Sequence, residues 1–188
     1  MNYVRELRVE ECGLPSIKQF VEAHHYSHSV FGVTGKFFFR VMHEGELVGA
    51  AIFGAPAGMG VAKKYDPEGK GLVELRRFVM VDEAPRNSES RAIGAMLRAL
   101  KQKGVAFVLS YADPAAGHLG TIYRATNFKY LGTTSPRRHV MWNGVKYPDR
   151  NIHQTHFPYH LELRKALEDG SAARVKIPGK HTYLLELR

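Results

Sequence analysis

The chain has 188 residues, of which 44% are hydrophobic, so it can bury a core and a disordered chain is excluded. Its formal net charge of +9 indicates a polyanionic partner such as nucleic acid. The single cysteine, Cys12, excludes an intramolecular disulfide and suits a reducing compartment. No apolar run is long enough for a membrane helix and no signal peptide is evident, so we expect a cytoplasmic protein without a membrane partner.

The first part of the chain predicts a strand, a helix and a hairpin. Residues 3–9 are assigned to the strand, and Leu14–His24 has the spacing of a helix with one apolar face. Phe37–Met42 and Leu47–Phe53 are apolar runs separated by a polar turn, which predicts a β-hairpin. The Gly-, Pro- and Lys-rich residues 54–71 predict a surface loop.

Residues 73–134 predict a core of alternating strands and helices. Asn87 and Ser88 are predicted to cap its first helix, and Gly104 to end it. Val105–Leu109 is a continuous apolar run, as expected for a buried strand. The first helix starts after a polar, Ser-rich turn, and free N–H groups at such a start can bind phosphate. Its apolar face is formed by Ile93, Met96, Leu97 and Leu100.

The chain changes character after Thr134. Residues 135–173 are basic and aromatic with little periodicity, and they predict an insertion into one α/β domain that spans residues 1–188. Tyr159–Leu167 predicts a helix within the insertion. Arg174–Ile177 and His181–Leu187 predict two strands, separated by Pro178 and Gly179.

The core over residues 73–134 resembles the acetyl-CoA core of the GNAT N-acyltransferases. That resemblance implies an α/β fold with a mixed central sheet flanked by helices and closed by the last strand. The family's phosphate-binding turn usually reads Q/R-x-x-G-x-G/A, and it falls on Glu89–Gly94. Gly94 is retained there, while the acidic Glu89 stands where a basic or amide side chain is usual.

A closer resemblance is to the Mom family of phage DNA-modification proteins, a divergent GNAT branch. It implies an enzyme that converts adenine in double-stranded DNA to N6-carbamoylmethyl (acetamido) adenine with an acetyl-CoA-type donor, protecting the DNA from restriction. The similar segments, in order, are HHYS (24–27), GAAIFG (49–54), ELRRFVM (74–80), NSESR (87–91), SYADP (110–114), GHLGTIYRATNFKYLG (117–132) and the C-terminal KHTYLLEL.

Four residues are predicted to carry the chemistry. The resemblance places His25 and Tyr26 in the active site, where the pair can hydrogen-bond a base edge and stack on it; capping of a helix end is the alternative. Asp113 ends a buried strand, so its carboxylate can hold or deprotonate an amine, or else cap helix 117–127. Many GNAT enzymes use a Tyr at the place of Tyr123 to protonate the departing CoA thiolate, and core packing is its alternative.

The predicted CoA site combines the end of the first core strand with the start of the helix. Arginines near a pyrophosphate form charge-assisted hydrogen bonds, and we favour Arg86 and Arg91 over Arg76 and Arg77 because they are closer to the turn. The predicted cofactor-binding residues are Phe78, Val79, Met80, Arg86, Asn87, Ser88, Ser90, Arg91, Gly94 and Tyr123.

The insertion is the predicted nucleic-acid contact. Basic side chains meet phosphates and aromatic ones stack on bases. A loop held down by its aromatic residues is the alternative interpretation. The predicted contact residues are Arg137, Arg138, Trp142, Lys146 and Tyr147.

A metal site is left open. No HExxH or CxxC motif occurs, although His25, His118 and Asp113 can converge in space. The implied product joins nitrogen to the former methyl carbon, a bond that simple acyl transfer does not make. Mom-like proteins have been suspected of using iron, so iron is kept as an alternative. The oligomeric state is also open, with a dimer as one alternative.

Two other functions remain compatible with these residues. One is an ordinary N-acetyltransferase for a small amine, a peptide or a modified nucleobase, which would turn over acetyl-CoA without DNA. The other is a binding module for nucleic acid or CoA without catalysis, an alternative favoured by Glu89 and Ala92 in the turn motif.

Overall fold

The computed structural model describes residues 3–58 and 60–187, which form two β-sheets with flanking helices. The main sheet has the order β1-β2-β3-β4-β5-β10-β6 and the small sheet the order β8-β7-β9. None of the described helices has the length and apolarity needed to cross a membrane. The strands are β1 Arg8–Cys12, β2 Phe37–His43, β3 Glu46–Gly54, β4 Leu72–Met80, β5 Phe107–Ala112, β6 Lys129–Thr133, β7 Arg137–Trp142, β8 Val145–Pro148, β9 Ala172–Ile177 and β10 His181–Glu186. The helices are α1 Tyr3–Glu6, α2 Lys18–His24, α3 Val61–Tyr65, α4 Ser88–Gln102, α5 Thr121–Ala125 and α6 His160–Glu168.

The start of the described chain differs from the predicted strand over residues 3–9. A helical turn, α1, comes first, and the strand begins at Arg8. Tyr3 and Leu7 are four residues apart, so a helical turn directs both to the same side. Leu7 is buried in the main core, and the Tyr3 ring stacks on His43 with 3.7 Å between centroids. The strand prediction for residues 3–7 is therefore wrong, because tertiary packing favours the turn.

The β2–β3 hairpin forms as predicted, whereas the predicted helix Leu14–His24 is divided into a 3-10 turn over Leu14–Ser16 and helix α2 over Lys18–His24. Ile17 and Val21 are fully buried against Ala50 and Ile52, which lie on one face of the main sheet. Strands β2 and β3 pair antiparallel along their length. The predicted loop over residues 54–71 also contains the short helix α3, which the sequence analysis missed.

Helix α4 packs on the opposite face of the main sheet through its predicted apolar residues, and Gly104 follows its end in the left-handed conformation, with φ of 79°. Its start differs from the prediction. Asn87 has φ of 74° and makes no capping hydrogen bond, and the Ser88 side chain is fully buried. Side-chain capping by Asn87 and Ser88 is therefore wrong. Glu89–Gly94 lies inside the first two turns of α4, so the motif assigned to a turn is helical.

Strands β4 and β5 are parallel neighbours at the centre of an otherwise antiparallel main sheet. They pair from Leu72 opposite Phe107 to Leu75 opposite Ser110. Beyond that point β4 continues to Met80 without a described strand on its β5 side, so the two strands separate. Strand β10 lies between β5 and β6, which confirms that the last strand closes the sheet.

The small sheet is inserted between β6 and β10. It has its own core with α6, formed by Val140, Ile152, Leu163, Ala166 and Ala172. In β7 Val140 is buried, whereas the other five residues of the strand are exposed or half-buried. The strand therefore lacks the alternation of apolar and polar residues from which it could be recognised in the sequence. Strand β9 pairs with β7, and the inserted segment therefore continues to Ile177, beyond the predicted boundary at residue 173.

Candidate active site

A cavity of about 550 Å³ fills the gap between the separating ends of β4 and β5. This volume is within the range of ligand sites. Six predicted site residues line it: His25, Tyr26, Phe78, Val79, Met80 and Tyr123. The rest of the wall is formed by His24, His28, Leu75, Arg76, Arg77, Asp82, Glu89, Tyr111, Ala112 and residues 117–122.

His25 is a buried histidine at the C-terminal end of α2. The backbone N–H of Ser27 donates to its Nδ1 at 3.1 Å, and the Ser27 hydroxyl lies 2.8 Å from the same atom. An Nδ1 that accepts an N–H bond carries no proton, so the neutral ring keeps its proton on Nε2. Burial, with the charges of Arg77 and His118, lowers the pKa of His25 to about 4. At neutral pH His25 is therefore a hydrogen-bond donor through Nε2, not a base.

Tyr26 lies at the mouth of the cavity with half of its surface exposed. Its ring is 4.3 Å from His25 and 5.0 Å from His118, measured between ring centroids. Three rings from two loops thus form one aromatic cluster at the cavity entrance. Such a cluster offers a stacking surface to a planar ligand. His118 was noted in the sequence only as a metal candidate, and its ring contact with Tyr26 could not be predicted from spacing.

Both carboxylate oxygens of Asp113 are occupied. Oδ1 accepts the N–H of Ala115 at 3.1 Å, and Oδ2 pairs with Lys180 Nζ at 2.9 Å. Burial opposes ionisation, but the hydrogen bond and charge of Lys180 outweigh it and hold the pKa of Asp113 below its usual range. Asp113 caps the short turn Pro114–Ala116, not the predicted helix 117–127, which begins at Thr121. Lys180 was not among the predicted site residues.

Tyr123 belongs to both the core and the cavity wall. Its ring packs between Phe128 and Tyr183, with centroids 5.5 and 5.2 Å away. Burial raises the pKa of Tyr123 to about 12, and the nearby Ser110 hydroxyl offsets part of that rise. The two hydroxyls do not reach hydrogen-bond geometry, so Ser110 Oγ is buried without a partner in the described chain. Ser110 was not among the predicted site residues, although a lone serine in the apolar strand FVLSYA is a feature from which it could have been predicted.

The start of α4 places the remaining predicted cofactor residues outside the cavity wall. Arg86, Asn87 and Arg91 are exposed, and Gly94 is half-buried. Ser90 donates its hydroxyl proton to the carbonyl of Asn87 at 3.1 Å. Ser88 has both polar groups enclosed, because its N–H bonds to Pro85 O and its side chain is fully buried. The described contacts therefore leave Arg86 and Arg91, rather than Ser88, accessible to a phosphate.

Arg76 and Arg77 are held by backbone carbonyls. Arg76 Nη1 donates to Ala55 O at 3.0 Å, and Arg77 Nε donates to Ser29 O at 3.1 Å. Arg77 thereby fastens the loop after α2 to strand β4. Neither arginine is therefore a freely solvated surface residue.

The insertion presents its basic and aromatic residues differently. Arg137, Arg138 and Lys146 are exposed, whereas Trp142 and Tyr147 are half-buried and pack against the small core. A shallow depression of about 280 Å³ beside this surface is lined by Arg137, Arg138, His139, Pro148, Asp149 and Arg150. In the free protein Trp142 and Tyr147 therefore anchor the inserted segment by packing, which was the alternative to base stacking.

The residues around the cavity do not fit a bound iron. The Nε2 of His25 carries the ring proton, because Nδ1 accepts from Ser27, and the charge of Asp113 is already paired with Lys180. Across residues 3–58 and 60–187, the group of His and carboxylate ligand atoms close enough to share a metal is Glu6, His43 and Glu44. That group lies at the β2–β3 turn, outside the cavity wall. His25, His118 and Asp113 thus do not form the metal site that the sequence left open.

A mixed sheet whose parallel pair opens over a cavity is the architecture of the GNAT acetyltransferases. The structure matches an N-acetyltransferase from Staphylococcus aureus Mu50 with a TM-score of 0.55 and 13% identity, covering 97% of this chain and 99% of that one. It matches a GNAT family acetyltransferase from Elizabethkingia anophelis with acetyl-CoA bound, with a TM-score of 0.53 and 7% identity, covering 96% and 98%. At these identities the similarity shows the fold, and the predicted fold class is confirmed.

A sequence model of the Mom protein family matches residues 6–188, and the chain belongs to that family. It is 31% identical over 133 residues to the methylcarbamoylase mom of Escherichia phage Mu. That alignment covers 69% of this chain and 55% of the phage Mu protein, so the chain spans about half the length of this relative. The family predicted from the sequence motifs is confirmed.

Proposed function

We propose that the protein is a transferase that places a carbamoylmethyl group on N6 of adenine in double-stranded DNA and binds a CoA thioester in its cavity. Because the new bond joins N6 to the former methyl carbon, the conversion also takes a two-electron oxidant and a donor of the amide nitrogen besides the thioester. The name of the phage Mu relative supports transfer of a methylcarbamoyl group, and the basic charge of +9 supports a nucleic-acid acceptor. Protection of DNA from restriction is the expected biological effect. Host cytoplasm is the expected location, because the DNA substrate is found there.

The observation that carries this proposal is the aromatic cluster of His25, Tyr26 and His118 at the mouth of the cavity. An enzyme that reacts with a base of a duplex has to rotate that base out of the stack into a pocket. Stacking on aromatic rings compensates for part of the lost base stacking. The half-exposed Tyr26 is placed to receive an extruded adenine above the cavity.

The residues of the site divide between orienting the base and handling protons. Neutral His25 donates from Nε2, which suits a ring nitrogen of adenine as acceptor. The ionised Asp113 accepts a hydrogen bond from the N6 amino group, with Lys180 keeping the carboxylate charged. Tyr123 has a pKa of about 12, so it stays protonated at neutral pH and can donate a hydrogen bond to the thioester group of a bound CoA derivative.

The cavity also fits a CoA thioester. The edge of β4 over residues 76–80 has no described strand on its β5 side, so its backbone groups can hydrogen-bond the amides of a pantetheine arm. Phe78, Val79 and Met80 lie on that edge. Arg86 and Arg91 are accessible to the phosphates of CoA. The negative charge of Glu89 on the cavity wall repels those phosphates.

The central test is nucleoside analysis. Plasmid DNA from bacteria that produce the protein is digested to nucleosides, and their masses are measured. We expect a deoxyadenosine fraction with the added carbamoylmethyl mass, and Tyr26→Phe should lower it. Unmodified DNA, together with acetyl-CoA consumption on small amines, would contradict the proposal and support an ordinary N-acetyltransferase.

The donor is tested separately by thermal unfolding. A ligand at a hundredfold excess over its Kd adds about 2.7 kcal/mol to stability, so acetyl-CoA should raise the melting temperature. Arg91→Glu should remove most of that rise. Lys101→Glu, an equally exposed site in the last turn of α4, is the matched control and should keep it. An unchanged melting curve of the wild type with saturating acetyl-CoA would exclude this donor.

A further inference from the structure

Phe31 is an unusual surface residue. Its side chain is 91% exposed, the highest exposure among the large hydrophobic residues of the described chain. Tyr26 and Leu119, at 50% and 59%, are also exposed and line the cavity. A ring exposed to this extent adds little to the stability of the fold, so its apolar surface is available to a partner.

The exposure of Phe31 does not come from a loose loop. The loop is joined to the cavity wall through Ser29, whose carbonyl accepts from Arg77 Nε at 3.1 Å and from Ser27 Oγ at 3.3 Å. The N–H of Phe31 then donates to Ser29 Oγ at 3.0 Å. On either side of the tip, Val30 and Val33 pack against the core beneath α2. The backbone of Phe31 is therefore tied through Ser29 to Arg77 of the cavity wall, while its ring is left in solvent.

Charge selects a nucleic acid as the partner for this loop. Residues 23–43 contain no aspartate or glutamate, although the whole chain has 18 acidic residues. Histidines 24, 25 and 28 lie on the cavity side of the loop, and Lys36 follows it. An apolar tip on a loop without acidic residues can approach a polyphosphate backbone without charge repulsion.

We infer that Phe31 is the residue that enters the duplex when the adenine leaves it. Extrusion of a base leaves a gap in the stack, and DNA-binding proteins fill or open such steps with apolar side chains. Phe31 supplies the ring, and Tyr26, five residues earlier on the same loop, receives the base. The inference rests on the proposed function, since it assigns how that site reaches a paired adenine.

The test compares Phe31→Ala with Phe31→Leu, which keeps an apolar side chain, and with Leu161→Ala, a similarly exposed residue on α6 away from the cavity. Two quantities are measured. One is the fraction of modified deoxyadenosine in plasmid DNA from producing cells. The other is permanganate oxidation of thymines in duplex DNA bound to purified protein, which detects a thymine whose adenine partner has been extruded.

Phe31→Ala should lower both signals roughly tenfold to a hundredfold, in line with the energy of one stacking contact. Phe31→Leu should fall between the wild type and Phe31→Ala, and Leu161→Ala should match the wild type. The acetyl-CoA shift in melting temperature should be unchanged in all three. The inference would be overturned if Phe31→Ala modified DNA as well as the wild type. It would also be overturned if Phe31→Ala lost modification while permanganate oxidation of its bound DNA stayed unchanged. No modified nucleoside from the wild type would instead contradict the proposed function.

Discussion

The main sheet and the small sheet solve the same problem of burial in different ways. The main sheet buries long apolar segments and leaves a cavity where β4 and β5 separate, so its polar residues collect at the strand ends. The small sheet builds a core from few buried residues and covers it with half-buried Trp142 and Tyr147. Its charges remain on the surface. Under the proposed function, the chemistry would belong to the first region and the phosphate contact to the second.

The largest effect is expected from Asp113→Asn. The amide cannot replace the carboxylate as acceptor for an amino group, and Lys180 loses its counter-ion. Modified deoxyadenosine should fall by about a hundredfold or more, as for loss of a proton-handling group. Asp169→Asn, an exposed acidic residue in the small-sheet region, is the matched control. Asp113 follows the lining residue Ala112 but is not itself part of the cavity wall, so full activity of Asp113→Asn would show that its carboxylate takes no part in the chemistry.

The next effect concerns DNA affinity. Reversal of Arg137 and Arg138 to Glu should flatten the salt dependence of duplex binding by about two units of slope, since each phosphate contact contributes roughly −0.9. Arg138 already pairs with Asp149 at 3.6 Å, so Arg137→Glu should have the larger single effect. The control reverses Lys18 and Lys101, which are equally exposed on other elements. If both pairs act alike, the small sheet is not a specific DNA contact.

Trp142→Ala separates packing from stacking. The ring packs against the small core, so its removal should destabilise that sheet by roughly 2 kcal/mol, below the cost at a fully buried site. Hydrogen exchange should accelerate in residues 137–148 and 172–177 and stay unchanged around α4. Trp142→Phe should restore most protection. Weaker DNA binding with unchanged exchange would show instead that the ring stacks on a base, as the sequence predicted.

The smallest effect is a pH dependence confined to the main region. The pKa of His25 is lowered to about 4 in the folded protein, so the folded state favours the neutral ring. That contribution to stability is present above the unfolded pKa near 6.5 and is lost as the pH falls towards 4. Urea unfolding at pH 7 and pH 5 should show up to about 2 kcal/mol more loss for the wild type than for His25→Gln. Equal losses would mean that the ring is protonated without cost.

The sequence predicted the main region well because its signals are local. The spacing of Ile93, Met96 and Leu97 defines a helix face whatever surrounds it, and the continuous apolar run Val105–Leu109 overlaps the start of β5. What failed depends on tertiary contacts. The burial of Ser88 is decided by the packing of α4 on the sheet, and the partner of Asp113 is Lys180, far away in the chain. In β7 a single buried Val140 gives too weak an alternation to recognise.

The insertion leaves and returns through one narrow neck. The N–H of Thr134 donates to Lys180 O at 2.9 Å, and Lys180 N–H donates to Thr134 Oγ1 at 2.9 Å. Gly179 packs against the Thr134 carbonyl, where a Cβ would collide. Residues 135–179 therefore amount to an enlarged hairpin connection between β6 and β10. A segment attached in this way is modular: its replacement should leave the pairing of β6 with β10 intact, because Thr134 and Lys180 close the connection at its base.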